Sequence, residues 1–264
     1  MTGPVDIGPL ELAAAAFLLL LNGLVSVALG LGLERRLAVA ALRSVVQLTL
    51  LGAVLVPVFS IAHPALVLGL AAVMIALAGV EAVRRTTRSF RGARWAGLGA
   101  MAVSASVTTA LATAVILDVS PWWTPRYFIP MLGMILGNSL TGVSLGLETS
   151  LRLLDTRRAE VERLLAFGAS WWEASRDIAA EAVRTGMIPI LNTMSVVGLV
   201  TIPGMMTGQI LGGTAPGLAA RYQMLILFLI AAAVALGTTL ATLVAVRAVF
   251  DGEDRLRAER ILGG

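Results

Sequence analysis

Long stretches without a charged side chain are the feature that most restricts how this chain can fold. Between Glu11 and Glu34 lie 22 consecutive uncharged residues, and similar runs recur along the chain. A helix of about 20 apolar residues crosses the hydrocarbon core of a bilayer, which is about 30 Å thick. Of the 264 residues, 58% are hydrophobic and 14% are charged, whereas soluble domains carry about 25% charged residues. The sequence therefore predicts an all-α, polytopic membrane protein.

The uncharged runs predict about seven transmembrane helices within a single domain, residues 1–264. The later runs are 44–62, 64–80, 95–117, 127–147, 185–220 and 222–246. The run 185–220 has 36 residues, which is too long for one crossing, but Pro203 and a Gly/Pro-rich stretch at 212–217 interrupt it. Because proline lacks a backbone N–H and ends or kinks a helix, one kinked helix followed by a turn is expected there.

The arginines predict the orientation, because short cytoplasmic loops of membrane proteins are enriched in basic residues. If the amino terminus is outside, nearly all arginines fall in cytoplasmic segments, which are 35–43, 84–94, 152–184 and the tail from 247. Only Arg126 and Arg221 then face outward. An outside amino terminus and a cytoplasmic carboxyl terminus are predicted. The basic loop 84–94 is assigned to topology and lipid contact rather than to nucleic acid, since it is too short for an independently folded basic module.

The sequence offers little catalytic machinery. It has no cysteine, and its one histidine, His63, is predicted at the outer end of the third helix. A G-x-S-x-G pattern at 142–146 places Ser144 near the cytoplasmic end of the fifth helix, far from the base that a serine hydrolase needs. No catalytic residue is predicted and the metal ligands, if any, stay unknown. The glycine pairs at 133/137 and 142/146 are assigned to helix packing.

Uncharged polar and thioether side chains within the spans are candidates for a translocation path, since polar groups are unfavourable in lipid without partners. Asn138 and Asn192 fall on the two helices that flank the long cytoplasmic loop, and Gln209 follows the break at Pro203. Broken helices expose backbone polar groups to such a path. Hydrogen bonds between helices, or methionine packing, explain each residue equally well. The candidates are Gln47, Met134, Asn138, Asn192, Met205, Met206 and Gln209.

The cytoplasmic loop at about 148–184 holds six arginines and seven acidic residues. Glu162, Gly168 and Ile178 reproduce the spacing E-x5-G-x9-I of the coupling loop of bacterial ABC-transporter permeases, although the two usual alanines and the final Leu-Pro are replaced. A glycine permits a turn between two short helices, which would seat in a groove of a motor subunit. A plain amphipathic surface helix is the alternative. The predicted coupling residues are Glu162, Arg163, Ala166, Gly168 and Ile178.

Three segments resemble the FetB-type permeases of ABC transporters, a family linked to iron export. They are RSVVQL at 43–48, MLGMILGN at 131–138 and IPGMMTGQIL at 202–211. The resemblance covers nearly the whole chain and implies a homodimer in the bacterial inner membrane, paired with two copies of an ABC ATP-binding subunit. Having no lysine, the chain cannot form the G-x4-G-K-[ST] phosphate loop. It is therefore expected to bind no cofactor and to be no enzyme, with ATP and Mg on the partner.

The resemblance implies export of iron or another metal or small solute, but the residues leave the cargo open. A ferrous site favours imidazole and carboxylate ligands, and only one histidine is present. Glu34, Glu81 and Glu148, near cytoplasmic helix ends, are candidates for a cation entrance or are simply solvated helix-end charges. The alternative functions are an importer permease for a small solute and a non-transporting membrane scaffold. The bilayer is an expected partner, and nucleic acid is not.

Overall fold

Helices make up most of residues 7–263, which the computed structural model describes. Residues 1–6, at the terminus that is predicted to be outside, and residue 264 lie beyond the described range. The nine α-helices of residues 7–263 are α1 (Pro9–Ala28), α2 (Glu34–Ile61), α3 (Pro64–Arg84), α4 (Ala93–Ala110), α5 (Pro125–Thr156), α6 (Arg158–Ala166), α7 (Trp171–Val196), α8 (Gly204–Leu211) and α9 (Pro216–Val249). A π-helical segment, Leu111–Ile116, continues α4. The two-residue strands β1 (Ser89–Phe90) and β2 (Ile261–Leu262) pair antiparallel.

Six helices are long and apolar enough to cross a membrane. They are α1, α2, α3, α4 with its π-helical continuation, α5 and α9. The prediction of an all-α, multi-pass membrane protein is thereby confirmed at this level. The uncharged run 185–220 folds differently from the single kinked helix that the sequence predicts.

The chain between α7 and α9 is broken into two helical pieces. The uncharged part of α7, residues 185–196, rises only about 18 Å at 1.5 Å per residue. After Val196 the backbone leaves the helix through Gly198, whose φ is +81°, and α8 starts only after Pro203. A positive φ costs glycine little and proline donates no hydrogen bond, so these two residues account for the interruption.

The parallel helices α5 and α9 form the centre of the bundle. A Cβ added to Gly142 would lie 2.6 Å from Val234 Cγ1, and one added to Gly146 would lie 2.6 Å from Thr238 Cγ2. Because the residue numbers of the two helices rise together, both helices run in the same direction. The start of α7 packs near the end of α9, through Trp171 and Phe250. Farther along α7, a Cβ on Gly186 would lie 2.5 Å from Thr238 Cγ2, so α7 runs antiparallel to α9.

Glycines allow the close approach of these helices. A Cβ on Gly142 would meet Gly186 O at 3.1 Å, and one on Gly186 would meet Gly142 O at 2.7 Å. The packing role predicted for the pair 142/146 is confirmed, whereas a Cβ on Gly137 would meet no described atom within 4 Å. Buried Ser144, in the middle of the hydrolase-like pattern, donates from Oγ to Ala82 O of α3 at 2.6 Å. Its hydroxyl joins two helices.

Candidate functional site

The arginine-rich segments gather at one end of the bundle. Strand β1, in the basic loop after α3, pairs with β2 of the carboxyl-terminal tail. In the same loop, Arg88 Nη2 lies 3.3 Å from Asp155 Oδ2 at the end of α5. Arg126 instead lines a cavity at the start of α5, which is the opposite end. The basic loop and Arg126 thus lie at opposite ends of the bundle, and the orientation of these ends in a membrane stays a prediction.

A helical hairpin, α6 and α7, has its turn at the arginine-rich end of the bundle. Its turn, residues 167–170, depends on Gly168, whose φ is +90°, a conformation in which a side chain is strained. Ser170 then starts α7 with a capping box: its N–H donates to Glu173 Oε2 at 2.8 Å, and its Oγ accepts from Glu173 N at 3.3 Å. The backbone N–H of Ser170 is the main cause that lowers the pKa of Glu173. The turn at Gly168 that the sequence predicts is therefore present, but the prediction of two short helices is wrong for the second, because α7 continues for 26 residues.

The predicted coupling residues divide into an exposed and a buried group. Glu162, Arg163, Ala166 and Gly168 are exposed on α6 and the turn. Glu162 Oε1 accepts from Arg158 Nε at 2.6 Å, a pair one helical turn apart. Ile178 is buried in the core of the bundle. Only the first group can therefore meet another protein, and Ile178 holds α7 against the bundle.

Sequence reasoning missed the apolar tip of this hairpin. Phe167, directly before Gly168, is 85% exposed, and Leu164 is partly exposed beside it. Together with Glu173 and Arg176, these residues border a cavity of about 440 Å³ at the tip. An aromatic residue directly before a turn glycine was the available signal, but its exposure depends on how α6 and α7 dock.

The carboxyl-terminal tail, which sequence reasoning also missed, packs against the start of α7, directly after the turn of the hairpin. Buried Phe250 packs against Trp171, and Arg247 Cζ lies 5.5 Å from the centre of the Trp171 ring. Asp251 then folds the tail back, because it accepts hydrogen bonds from the backbone N–H groups of Arg255 and Glu253, each at 2.9 Å. These hydrogen bonds, that of Arg255 first, lower the pKa of Asp251.

Three of the predicted path residues converge on a cavity at the end of the bundle opposite the hairpin. The cavity has a volume of about 580 Å³ and lies between the starts of α5 and α9 and the helix α8. Met134, Met205 and Gln209 are among its lining residues. Gln209 Oε1 is buried and accepts no hydrogen bond from the described residues. This end of the bundle therefore offers a buried acceptor without a donor inside a cavity that methionines and a leucine partly line.

The remaining path candidates lie elsewhere. Asn138 is exposed on α5 and donates from Nδ2 to Met134 O, one helical turn earlier, at 2.8 Å. Asn192 on α7 and Gln47 on α2 are also exposed. Met206 is half-buried and does not line the cavity that Met205 borders. The structure thus brings together only part of the predicted set, and exposes three amides on the surface of the helices.

The three carboxylates proposed for a cation entrance each have a partner. Glu148 accepts from the backbone N–H groups of Thr87 at 2.7 Å and Arg88 at 3.1 Å. Glu34 accepts from Ser26 Oγ at 2.9 Å. Glu81 lies 3.6 Å from Arg85 Nε. These contacts tie helix ends to neighbouring segments, and residues 7–263 contain no group of three or more His, Asp or Glu placed to hold a metal ion.

Comparisons with known proteins agree on one family. The profile described as "Uncharacterised protein family (UPF0014)" matches residues 9–250. The UPF0014 membrane protein slr1647 of Synechocystis sp. is 37% identical, over 86% of this chain and 88% of its own. The UPF0014 membrane protein YjkA of Bacillus subtilis is 33% identical, over 86% and 89%. The "Probable iron export permease protein FetB" of Escherichia coli is 28% identical, over 93% of both chains. No solved structure matches the chain significantly.

Proposed function

Because the chain belongs to the UPF0014 family of membrane proteins, we propose that it is the membrane-spanning permease subunit of an ABC transporter. The family match bears out the resemblance to FetB-type permeases, and the relative named as a probable iron export permease supports a transport role. On this proposal the chain exports iron, another metal or a small solute across the bacterial inner membrane. The energy comes from ATP and Mg on a separate ATP-binding subunit, of which two copies bind two copies of the permease.

The observation that favours this function is the hairpin of α6 and α7 with its exposed tip. Phe167 is 85% exposed at the end of the bundle where the arginines gather. Burying an aromatic side chain in a partner's pocket is a common anchor of protein interfaces. The charged residues Glu162 and Arg163 beside it suit the polar rim of such an interface. The tip therefore has the composition of a docking site for a motor subunit.

We further infer seven crossings, of which the sixth is discontinuous. Helix α5 ends at the arginine-rich end, whereas α9, which is parallel to it, begins at the opposite end. The chain between them must return across the bundle, through the uncharged part of α7 and through α8. Broken helices of this kind are tolerated in membranes where they line a cavity. An odd number of crossings places the two termini on opposite sides of the membrane, and the enrichment of arginine in cytoplasmic loops then puts the amino terminus outside.

A second copy of the chain explains the exposed amides. Gln47, Asn138 and Asn192 lie within apolar stretches of α2, α5 and α7, and all three are exposed in the single chain. An amide that faces hydrocarbon without hydrogen-bond partners is unfavourable by several kcal/mol, roughly 2–7 depending on the reference state. A second copy that covers these exposed positions would remove the amides from lipid. The translocation path would then lie between the two copies.

A pair of aromatic substitutions tests the role of the hairpin. The permease is co-expressed with the ATP-binding subunit encoded in the same genome, and the complex is purified through a tag on the permease. Phe167→Ala should abolish co-purification of the ATP-binding subunit. Trp95→Ala is the matched control, because Trp95 is 77% exposed at the same end but lies outside the hairpin. Equal recovery of the ATP-binding subunit with both variants would refute the docking role.

A further inference from the structure

The cavity between the starts of α5 and α9 has the size of a ligand site. Its volume of about 580 Å³ lies within the range of about 300–1,000 Å³ that small-molecule sites occupy. It opens at the end of the bundle opposite the coupling hairpin, which is the outer side in the proposed orientation. Only the assignment of this cavity to the outer side rests on the proposed function.

The charge of the cavity is positive. Arg126 lines it, and Arg221 directly precedes Tyr222, another lining residue. These are the two arginines that the sequence places outside, so the cytoplasmic enrichment of basic residues does not account for them. Neither has an ion-pair partner within residues 7–263. No acidic side chain lines the cavity, so the charge of Arg126 is available to a ligand.

The floor of the cavity is apolar, with one polar exception. Met131, Met134, Met205 and Leu218 supply thioether and aliphatic surface, and Met131 is almost fully buried. Gln209 Oε1, also buried, lacks a hydrogen-bond donor from the described residues. A ligand that fills this space therefore needs an apolar body, and a donor group on it would satisfy the glutamine.

A bare metal ion matches this lining poorly. Hard cations require carboxylate or other oxygen ligands. Thioethers suit soft cations such as Cu(I), but the positive charge of Arg126 opposes any cation at the same cavity. An acidic group beside Arg126 instead gains a charge-assisted hydrogen bond, which is among the stronger kinds.

We propose that this cavity binds an amphipathic anion, with its acidic group at Arg126 and its apolar body against the methionines. The same chemistry is found in a free organic acid or phosphate ester and in an anionic lipid whose headgroup reaches the outer leaflet. Both sources present an anionic group joined to hydrocarbon. The experiment distinguishes them.

Binding is measured on the purified permease without any ATP-binding subunit, so its outcome is independent of the proposed coupling. The probe is 11-(dansylamino)undecanoic acid, whose fluorescence rises in an apolar site, and the protein is reconstituted in phosphatidylcholine nanodiscs. The uncharged amide of the same probe reports the contribution of the apolar body alone. Wild-type protein should bind the acid more tightly than the amide.

Arg126→Gln should weaken binding of the acid about tenfold or more, since a hydrogen bond to a charged group contributes at least that factor. Binding of the amide should not change. Arg126→Lys keeps the charge and should retain most of the affinity, which shows that position 126 tolerates substitution. Arg152→Gln, at the arginine-rich end, is the matched control and should bind as wild type does.

Competition then identifies the source of the anion. Displacement of the probe by phosphatidylglycerol added to the nanodiscs supports a lipid occupant, and displacement by octyl phosphate alone supports a free amphipathic solute. Equal affinity of wild type and Arg126→Gln for the acid, or no preference of the wild type for acid over amide, would overturn the proposal. The binding assay contains no ATP-binding subunit, so its result does not depend on the outcome of the Phe167 experiment.

Discussion

Trp171 and Phe250 pack with their ring centroids 6.3 Å apart and their planes at 52°. The first residue begins α7, and the second directly follows α9. Their contact joins the start of α7, next to the turn of the α6–α7 hairpin, to the end of a central helix. In the proposed permease, a displacement of the hairpin by the motor subunit reaches α9 through this pair.

Phe250→Ala should therefore loosen the hairpin. Removing a buried phenylalanine side chain destabilises a core by about 3–5 kcal/mol, and here the loss falls on the contact between the hairpin and the tail. Because the chain has no cysteine, cysteines introduced at exposed Arg163 and Glu253 can be spin-labelled selectively. The distance distribution between the labels should broaden in Phe250→Ala. Phe17 is an exposed aromatic residue of α1, so Phe17→Ala should leave the distance distribution unchanged. An unchanged distribution in Phe250→Ala would show that the contact between Trp171 and Phe250 has no such role.

The hydrogen bonds of Asp251 predict that docking of the carboxyl-terminal tail depends on pH. Hydrogen bonds from the backbone of Arg255 and Glu253, and from Arg257, lower the pKa of its carboxyl below the ordinary value. A carboxyl whose pKa falls on folding stabilises the fold above its ordinary pKa of about 3.9 and loses this effect as the pH falls through the lower folded value. The tail should thus stay docked from neutral pH down to about pH 4 and be released only in stronger acid.

A spin label at exposed Leu262 measures this release as an increase in mobility. Asp251→Asn should raise the mobility at neutral pH and remove the acid transition below pH 4, since amide and protonated carboxyl accept these hydrogen bonds less strongly than a carboxylate does. An acid transition that is the same in the variant and in the wild type would assign it to another group.

The topology predicts which positions react with a membrane-impermeant maleimide in intact cells. Cysteines placed at Ser120, in the exposed loop before α5, and at Gly213, before α9, should be labelled from outside. A cysteine at Glu253 should be labelled only after the membrane is permeabilised. An epitope before residue 7 should be accessible from outside. Labelling of Glu253 and Ser120 positions from the same side would contradict seven crossings.

Local sequence signals were sufficient for six membrane-crossing helices and for the hairpin turn. Runs of apolar residues determine where helices can cross a membrane, and the glycine at 168 occupies a backbone conformation that few other residues adopt. The break after Val196 was harder to predict. Proline at 203 indicates only a kink, and tertiary packing decides that seven residues leave the helix. The contact between Trp171 and Phe250 could not be predicted, because it joins segments that are far apart in sequence.

The residues of the candidate site could also be predicted only in part. Methionines and amides were selected because they are unusual within spans, and Met134, Met205 and Gln209 indeed share one cavity. The position of Arg126 at its mouth could be inferred only as an outer-end charge. Whether a carboxylate is free or paired depends on tertiary contacts, and Glu148 is held by the loop that follows α3.

Gly168→Val should uncouple the motor subunit. The φ of +90° at this position is sterically unfavourable for a residue with a Cβ, and a β-branched side chain is restricted further, so a strain of about 1–3 kcal/mol is expected in the turn. The spans should remain inserted, because their packing lies elsewhere. ATP hydrolysis and transport in proteoliposomes should fall, together with recovery of the ATP-binding subunit.

Asn tolerates positive φ better than other non-glycine residues, so Gly168→Asn is the matched control and should keep most of the activity. Outside its two chain neighbours, no described atom lies within 4 Å of a Cβ at this position, so the Cβ itself has space in both variants. Normal assembly and transport in Gly168→Val would mean that α6 and α7 form only a surface hairpin.

The exposed face of α5 and α7 predicts where two copies of the chain meet. Asn138 donates to Met134 O within its own helix, while its carbonyl oxygen accepts no hydrogen bond from a described residue. In hydrocarbon, an acceptor oxygen without a donor is energetically unfavourable, so this face should be covered by the second copy.

Asn138→Cys in a chain without other cysteines should give a dimer with a short bis-maleimide in membranes. Val103→Cys, equally exposed within a span but on α4, should not, because α4 carries none of the exposed amides. Equal cross-linking at the two positions would indicate random collision, and none at position 138 would place the partner copy on another face.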